Sequence, residues 1–94
     1  MARAYKVGEN LIMFTCPGCG IDHGVTVNAA RNSEGSSWEW NGSLDLPTFT
    51  PSIKCSWGGP QVCHSFVRDG RIQFLPDCFH NLKGQTVDLP EQYK

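Results

Sequence analysis

The stretch "VCHSFVRDGRIQFLPDCFH", residues 62–80, decides how this chain folds. Asp69-Gly70 is a dipeptide suited to the positive φ values of a tight two-residue turn. Short apolar and β-branched runs flank it on both sides. The spacing predicts a hairpin that pairs Val62–Val67 with Arg71–Leu75. On such a strand Cys63 and His64 point to opposite faces, because successive side chains alternate.

The rest of the chain reads the same way. Short runs rich in apolar, β-branched and aromatic residues are interrupted by Gly, Pro and Asn, and no long helical period is present. Further strands are predicted near Leu11–Thr15, Gly24–Val27, Ser37–Trp40, Thr48–Ile53 and Gln85–Leu89. Asn41-Gly42 offers a second tight turn, and the polar segment Ala29–Ser36 reads as a loop. The two prolines of "LPTFTPS" make its strand an edge strand or a kinked one. The fold class expected is mainly β: a small, single-domain, antiparallel fold with little helix. One domain spans residues 1–94, with an ordered core over about 5–90 and a tail at 91–94.

Composition narrows the partners. A formal net charge of -1 over 94 residues is no footprint for nucleic acid or an anionic membrane surface. No apolar run approaches the roughly 18 residues of a membrane span. The first ten residues, "MARAYKVGEN", have basic residues but no apolar stretch behind them, so no secretory signal is expected. A cytoplasmic location is therefore expected, in which disulfides rarely persist. The five cysteines are an odd number, so a full disulfide framework would leave one over. His23, His64 and His80 each lie within four residues of a cysteine, which points to a metal.

"FTCPGCGIDH", residues 14–23, supplies a C-x-x-C whose two thiolates can reach one metal across a tight turn. The redox alternative needs this motif at a helix N-terminus, and "GIDHGVTV" does not read as a helix. Zn²⁺ is therefore the expected cofactor, which makes the expected β fold a zinc-binding one with a zinc-ribbon-like knuckle. Cys16 and Cys19 are the primary ligands. The others come from "QVCHSFV" (Cys63 or His64) and "PDCFH" (Cys78 or His80). Cys55 has no partner motif and reads as a bystander. Trp38, Trp40 and Phe49 read as core or rim residues.

A closed set of four ligands only holds a fold, whereas a catalytic zinc keeps a position for water. The pool exceeds one structural site, leaving His64 or His80, with His23 and Asp77, beyond the ligands; His64, His23 and Asp77 are the candidate catalytic groups. Asp77, three residues before His80, can orient a histidine, act as a base, or serve simply as a turn residue after Pro76. Ser65 follows His64 directly, but their side chains diverge on a strand, so they make a weak nucleophile pair. The H-x-E that zinc deaminases place upstream of P-C-x-x-C is absent, as is H-E-x-x-H.

Taken in order, "CPGCG..H", "W.WNG", "PTFTPSI", "CHSFVRDGRIQFL.DC.H" and "GQTVDLP" resemble a family of small phage and bacterial proteins of long-unassigned function, often labelled ammonia monooxygenase. Its relatives occur in bacterial operons that resemble ubiquitin conjugation pathways, where they act as peptidases that trim or remove a ubiquitin-like protein. The polar positions that match are Cys16, Cys19, His23, Cys63, His64, Asp77, Cys78 and His80, with Thr48 and Ser65 inside matched motifs. The resemblance implies a zinc-dependent peptidase acting on the tail of a ubiquitin-like protein. Metal-bound water would attack the carbonyl, and His64, His23 or Asp77 would move the proton. The alternative is a non-catalytic zinc-ribbon-like adaptor that binds a protein through Trp38, Trp40 and Trp57.

Overall fold

The computed structural model describes residues 2–32, 35–56 and 62–92. Among the described residues there are eight strands and no helix. Strands β1 (Tyr5–Val7), β2 (Leu11–Thr15) and β3 (Asp22–Thr26) form one antiparallel sheet in the order β1-β2-β3. Strands β4 (Glu39–Trp40), β5 (Phe49–Ser56), β6 (Val62–Arg68), β7 (Arg71–Phe74) and β8 (Thr86–Asp88) form a second, also antiparallel and in chain order. The mainly β expectation is met.

The 62–80 hairpin is present. Arg68 pairs with Arg71, and Asp69 and Gly70 take φ values of 52° and 76°. Along β6, Cys63, Ser65 and Val67 are buried while Val62, His64 and Phe66 face outward. That alternation gives the sheet one core face and one open face. The core joins Ile12, Phe14 and Val25 of the first sheet to Phe49, Ile53, Val67, Ile72 and Phe74 of the second. Phe14 stacks on Phe49 at 6.1 Å between ring centroids, which ties the two sheets together.

One strand is added and one expected turn does not form. Tyr5–Val7 carries no clear alternation; it becomes strand β1 through its pairing with β2. Asn41-Gly42 does not close a two-residue turn, because the chain runs from Trp40 to Phe49 before the strands pair. Instead the Asn41 side chain braces this longer loop, accepting from the backbone of Ser43 (3.1 Å) and Thr48 (3.2 Å) and donating to Leu46 O (3.0 Å). The proline-bearing strand β5 is irregular, as expected: its ladder with β6 shifts register between Phe49 and Ile53, and β4 pairs only with Phe49 and Thr50. At the other end of the chain, Gln92 turns back on the first sheet and donates to Thr15 Oγ1 (2.9 Å).

Candidate active site and metal centre

β5 breaks its ladder with β6 between Phe49 and Ile53. Phe49 pairs with Val67 and Ile53 with Ser65, so Thr50, Pro51 and Ser52 together face Phe66. A bulge of this kind re-aims side chains, and such bulges are common beside active sites. Here it presents Ser52 to His64. The ring of His64 sits on the open face of β6, with Nε2 3.0 Å from Ser52 Oγ and Nδ1 3.1 Å from Asp77 Oδ2. A carboxylate only accepts, so Nδ1 carries the proton. Nε2 is then left with a lone pair, to which the Ser52 hydroxyl donates. Nucleophile, base and orienting acid thus stand in one line, the arrangement that activates a serine in acyl transfer.

Asp77 reaches His64 because its loop is fastened to β6 at that residue. The Cys78 thiol donates to His64 O (2.9 Å) and accepts from His64 N (3.1 Å). Leu75 N also donates to His64 O (2.9 Å), and Phe79 N donates to Val62 O (2.9 Å). Cys78, a candidate metal ligand on sequence grounds, is therefore a clasp for the acid loop. On the other side, the Trp38 indole N–H donates to Ser52 O (3.2 Å) and steadies the bulge.

Ser52 is the residue that sequence reasoning missed. It lies inside "PTFTPSI" with no local nucleophile motif around it. The one signal available was the hairpin register: Lys54 pairs with His64, so Ser52, two residues earlier, shares its face and lies near His64. Ser65, by contrast, is 1% exposed on the core face of β6, away from the imidazole.

On the core side of the same strand, four side chains converge. The donor atoms of Cys16, Cys19, Cys63 and His80 all lie within 4.8 Å of one another, and this group could hold a metal ion. Cys16 follows β2, Cys63 is on β6 and His80 is on the Asp77 loop, so the group staples both sheets. Cys16 Sγ and Cys63 Sγ are 3.9 Å apart, and Cys63 Sγ and His80 Nε2 are 3.5 Å apart. A tetrahedral zinc with ordinary bond lengths requires edges of about 3.8 Å between sulfurs and about 3.6 Å from sulfur to nitrogen. Gly18 makes room: a Cβ there would lie 2.2 Å from His80 Cε1. His64, expected in the ligand pool, faces the opposite side of β6, and Cys78 is bonded to backbone; neither is in this group.

Without a cation the cluster is electrostatically frustrated. The Cys16 thiol is lowered to about 3, chiefly by the hydrogen bond from Cys63, against the cost of burial. That thiolate and burial push Cys63 up. Cys19 is raised to about 12, first by burial and then by Cys16. Three thiolates cannot ionise together there unless a cation neutralises them. His23, also expected near the reacting centre, is buried on β3 with Nδ1 3.4 Å from Cys55 Sγ. Burial opposes its charge, but Cys16 and Cys55 hold its pKa up at about 9. Cys55 thus has a partner, which its sequence context did not suggest.

The model of a protein family described as bacterial ubiquitination-like system serine protease, BubE, matches residues 1–75. The chain belongs to this family. No curated protein and no solved structure matches it. The matched residues include Ser52 and His64; Asp77 lies two positions beyond them.

BubE membership overturns the expected zinc-dependent peptidase. The family is one of serine proteases. In this chain both nitrogens of His64 are committed to Ser52 and Asp77, so the base stands beside a serine hydroxyl. The adaptor alternative invoked a surface around Trp38, Trp40 and Trp57. Trp38 and Trp40 are part-buried against the core, with their indole N–H groups bonded to Ser52 O and Ser43 O. Trp57 lies outside the described residues.

Proposed function

We propose that this protein is a serine peptidase that cleaves a protein of a bacterial ubiquitination-like system, with the exposed tail of a ubiquitin-like protein as its substrate. The Ser52 hydroxyl attacks the scissile carbonyl while His64 Nε2 takes its proton. The tetrahedral intermediate collapses as His64 returns that proton to the leaving amine, which leaves an ester on Ser52. Water then enters, gives a proton to His64, and releases the acid and the free serine. Asp77 holds the imidazole in the tautomer this requires and steadies the imidazolium. Among the described residues β4 pairs with β5 only at Phe49 and Thr50, and beyond them an extended tail can lie beside Ser52 in the groove between β5 and Trp38. Zinc bound by Cys16, Cys19, Cys63 and His80 would hold the sheets and the Asp77 loop in place, and none of the chemistry passes through it.

The observation that carries this reading is the Ser52–His64–Asp77 line, with family membership behind it. A neutral fluorophosphonate, which esterifies activated serines, tests it. Peptide mapping should find the adduct on Ser52, absent from Ser52→Ala and strongly slowed in His64→Ala. Folded protein that leaves Ser52 unmodified would refute the assignment.

A further inference from the structure

The nucleophile opens on a groove of about 490 Å³ that the catalytic steps do not use. Arg31, Ser36 and Trp38, from the segment between β3 and β4, form one wall. Pro51, Ser52 and Lys54 of β5 form the other. Neither His64 nor Asp77 lines it. That placement gives the groove a direction. His64 delivers a proton to the leaving amine, so the leaving group lies on the imidazole side of Ser52. A groove reached from Ser52 without touching His64 receives the acyl portion, the residues that precede the scissile bond.

Its charge gives it a chemistry. Among the described residues, the charged side chains lining the groove are both cationic, Arg31 and Lys54. Arg31 Nη1 donates to Gly35 O at 2.8 Å, which fixes the guanidinium on the wall while its other N–H groups remain able to donate. Lys54 follows Ser52 by two residues on the same face of β5 and stands opposite His64 in the ladder. Among the described residues, the carboxylates nearby are engaged or set apart. Asp22 is bonded to the Tyr5 hydroxyl and to Thr15 Oγ1, Asp77 holds His64, and Glu39 lines a separate depression beyond Trp38. Two cations flanking a nucleophile, with no carboxylate among the described lining residues, form a site for an anionic side chain.

We infer that this groove is the acyl-side specificity site and that it selects an acidic residue, Asp or Glu, just before the bond that Ser52 attacks. The inference rests on Ser52 being the nucleophile. It predicts that Arg31 and Lys54 set substrate choice, and that tails with a neutral or basic residue there are poor substrates.

Peptidyl diphenyl phosphonates test it directly. Ser52 Oγ displaces one phenoxide from phosphorus, so the rate of mass gain reports how well the adjoining side chain seats. Three probes identical except for a Glu, Gln or Lys side chain are compared on the full chain. Glu should react about five- to tenfold faster than Gln, with the gap closing at high salt. In Arg31→Met and Lys54→Met the Glu-to-Gln ratio should fall towards one, and in Lys54→Glu the Lys probe should overtake the Glu probe. Each ratio is taken within one variant, so an overall loss of reactivity or folding cancels. Equal rates for Glu and Gln on the wild-type chain overturn the groove assignment while Ser52 still reacts with the neutral fluorophosphonate. Failure of Ser52 to react with any probe overturns both this inference and the peptidase on which it rests.

Discussion

Replacing Asp77 by Asn isolates what the carboxylate contributes. Its Oδ2 lies 3.1 Å from His64 Nδ1, and its side chain is 57% exposed. During attack the imidazole becomes a cation. A carboxylate whose charge centre is about 4 Å away stabilises it by about 1 kcal/mol in a water-like medium and about 4 kcal/mol at a protein-surface dielectric. An acid more than half exposed falls between these limits, at roughly 2–3 kcal/mol, or about 30- to 150-fold in rate. Asparagine adds a second fault. Its amide N–H can donate to Nδ1, which moves the imidazole proton to Nε2 and leaves Ser52 without an acceptor. We expect a loss of about 10² to 10³ for Asp77→Asn, smaller than the roughly 10⁴ of a buried aspartate in such a triad. Asp77→Ala, which loses the charge but supplies no competing donor, should be less impaired than Asp77→Asn. The assay is the second-order rate constant for fluorophosphonate labelling of Ser52, with melting temperature followed in parallel. An exposed pair adds little to stability, so the melting temperature should stay nearly constant. An Asp77→Asn protein labelled within twofold of wild type would refute the reasoning, as would a loss that simply tracks unfolding.

Other consequences concern the metal centre and the turns. Chelation should lower the melting temperature and slow labelling of Ser52 together, because Cys63 neighbours His64 and His80 shares a loop with Asp77; thermal melts and labelling with and without chelator check this. Zinc uptake near neutral pH should release about two protons, from Cys19 and Cys63, since Cys16 is already ionised. Zinc affinity should therefore rise with pH, which calorimetry in buffers of different ionisation enthalpy would measure; uptake without proton release would contradict the ligand assignment. Gly18→Ala places a Cβ 2.2 Å from a His80 ring already boxed in by Phe74 and Phe79. It should cost about 10- to 100-fold in zinc affinity by competition against an indicator, as for other residues that orient a ligand. Gly70→Ala, at φ 76° and with Leu46 Cδ2 3.0 Å from the added carbon, should destabilise the fold by about 1–2 kcal/mol in denaturant titration.

Much of the fold was legible because strands and turns are written locally. Leu11–Thr15 begins and ends where β2 does, and Asp69-Gly70 places the β6–β7 turn. Alternation along β6 correctly separated Cys63 from His64, since a strand cannot aim neighbouring side chains at one point. The C-x-x-C knuckle announced Cys16 and Cys19, whose spacing is itself the signal. Which of the later cysteines and histidines joined them was not written locally. Cys63, His64, Cys78 and His80 are chemically alike on paper, and only the folding of the 75–85 loop over β6 brings His80 to the knuckle and Cys78 to the backbone of His64. Ser52 was equally hidden. An ordinary serine between Pro51 and Ile53 comes into line with a base only when a bulge turns it towards a histidine on the neighbouring strand and an aspartate from a third segment orients that ring. Local sequence determines the features that backbone propensity and short spacing dictate. Catalytic and metal constellations depend on distances between segments far apart in the chain, and those distances exist only once the sheets have paired and packed.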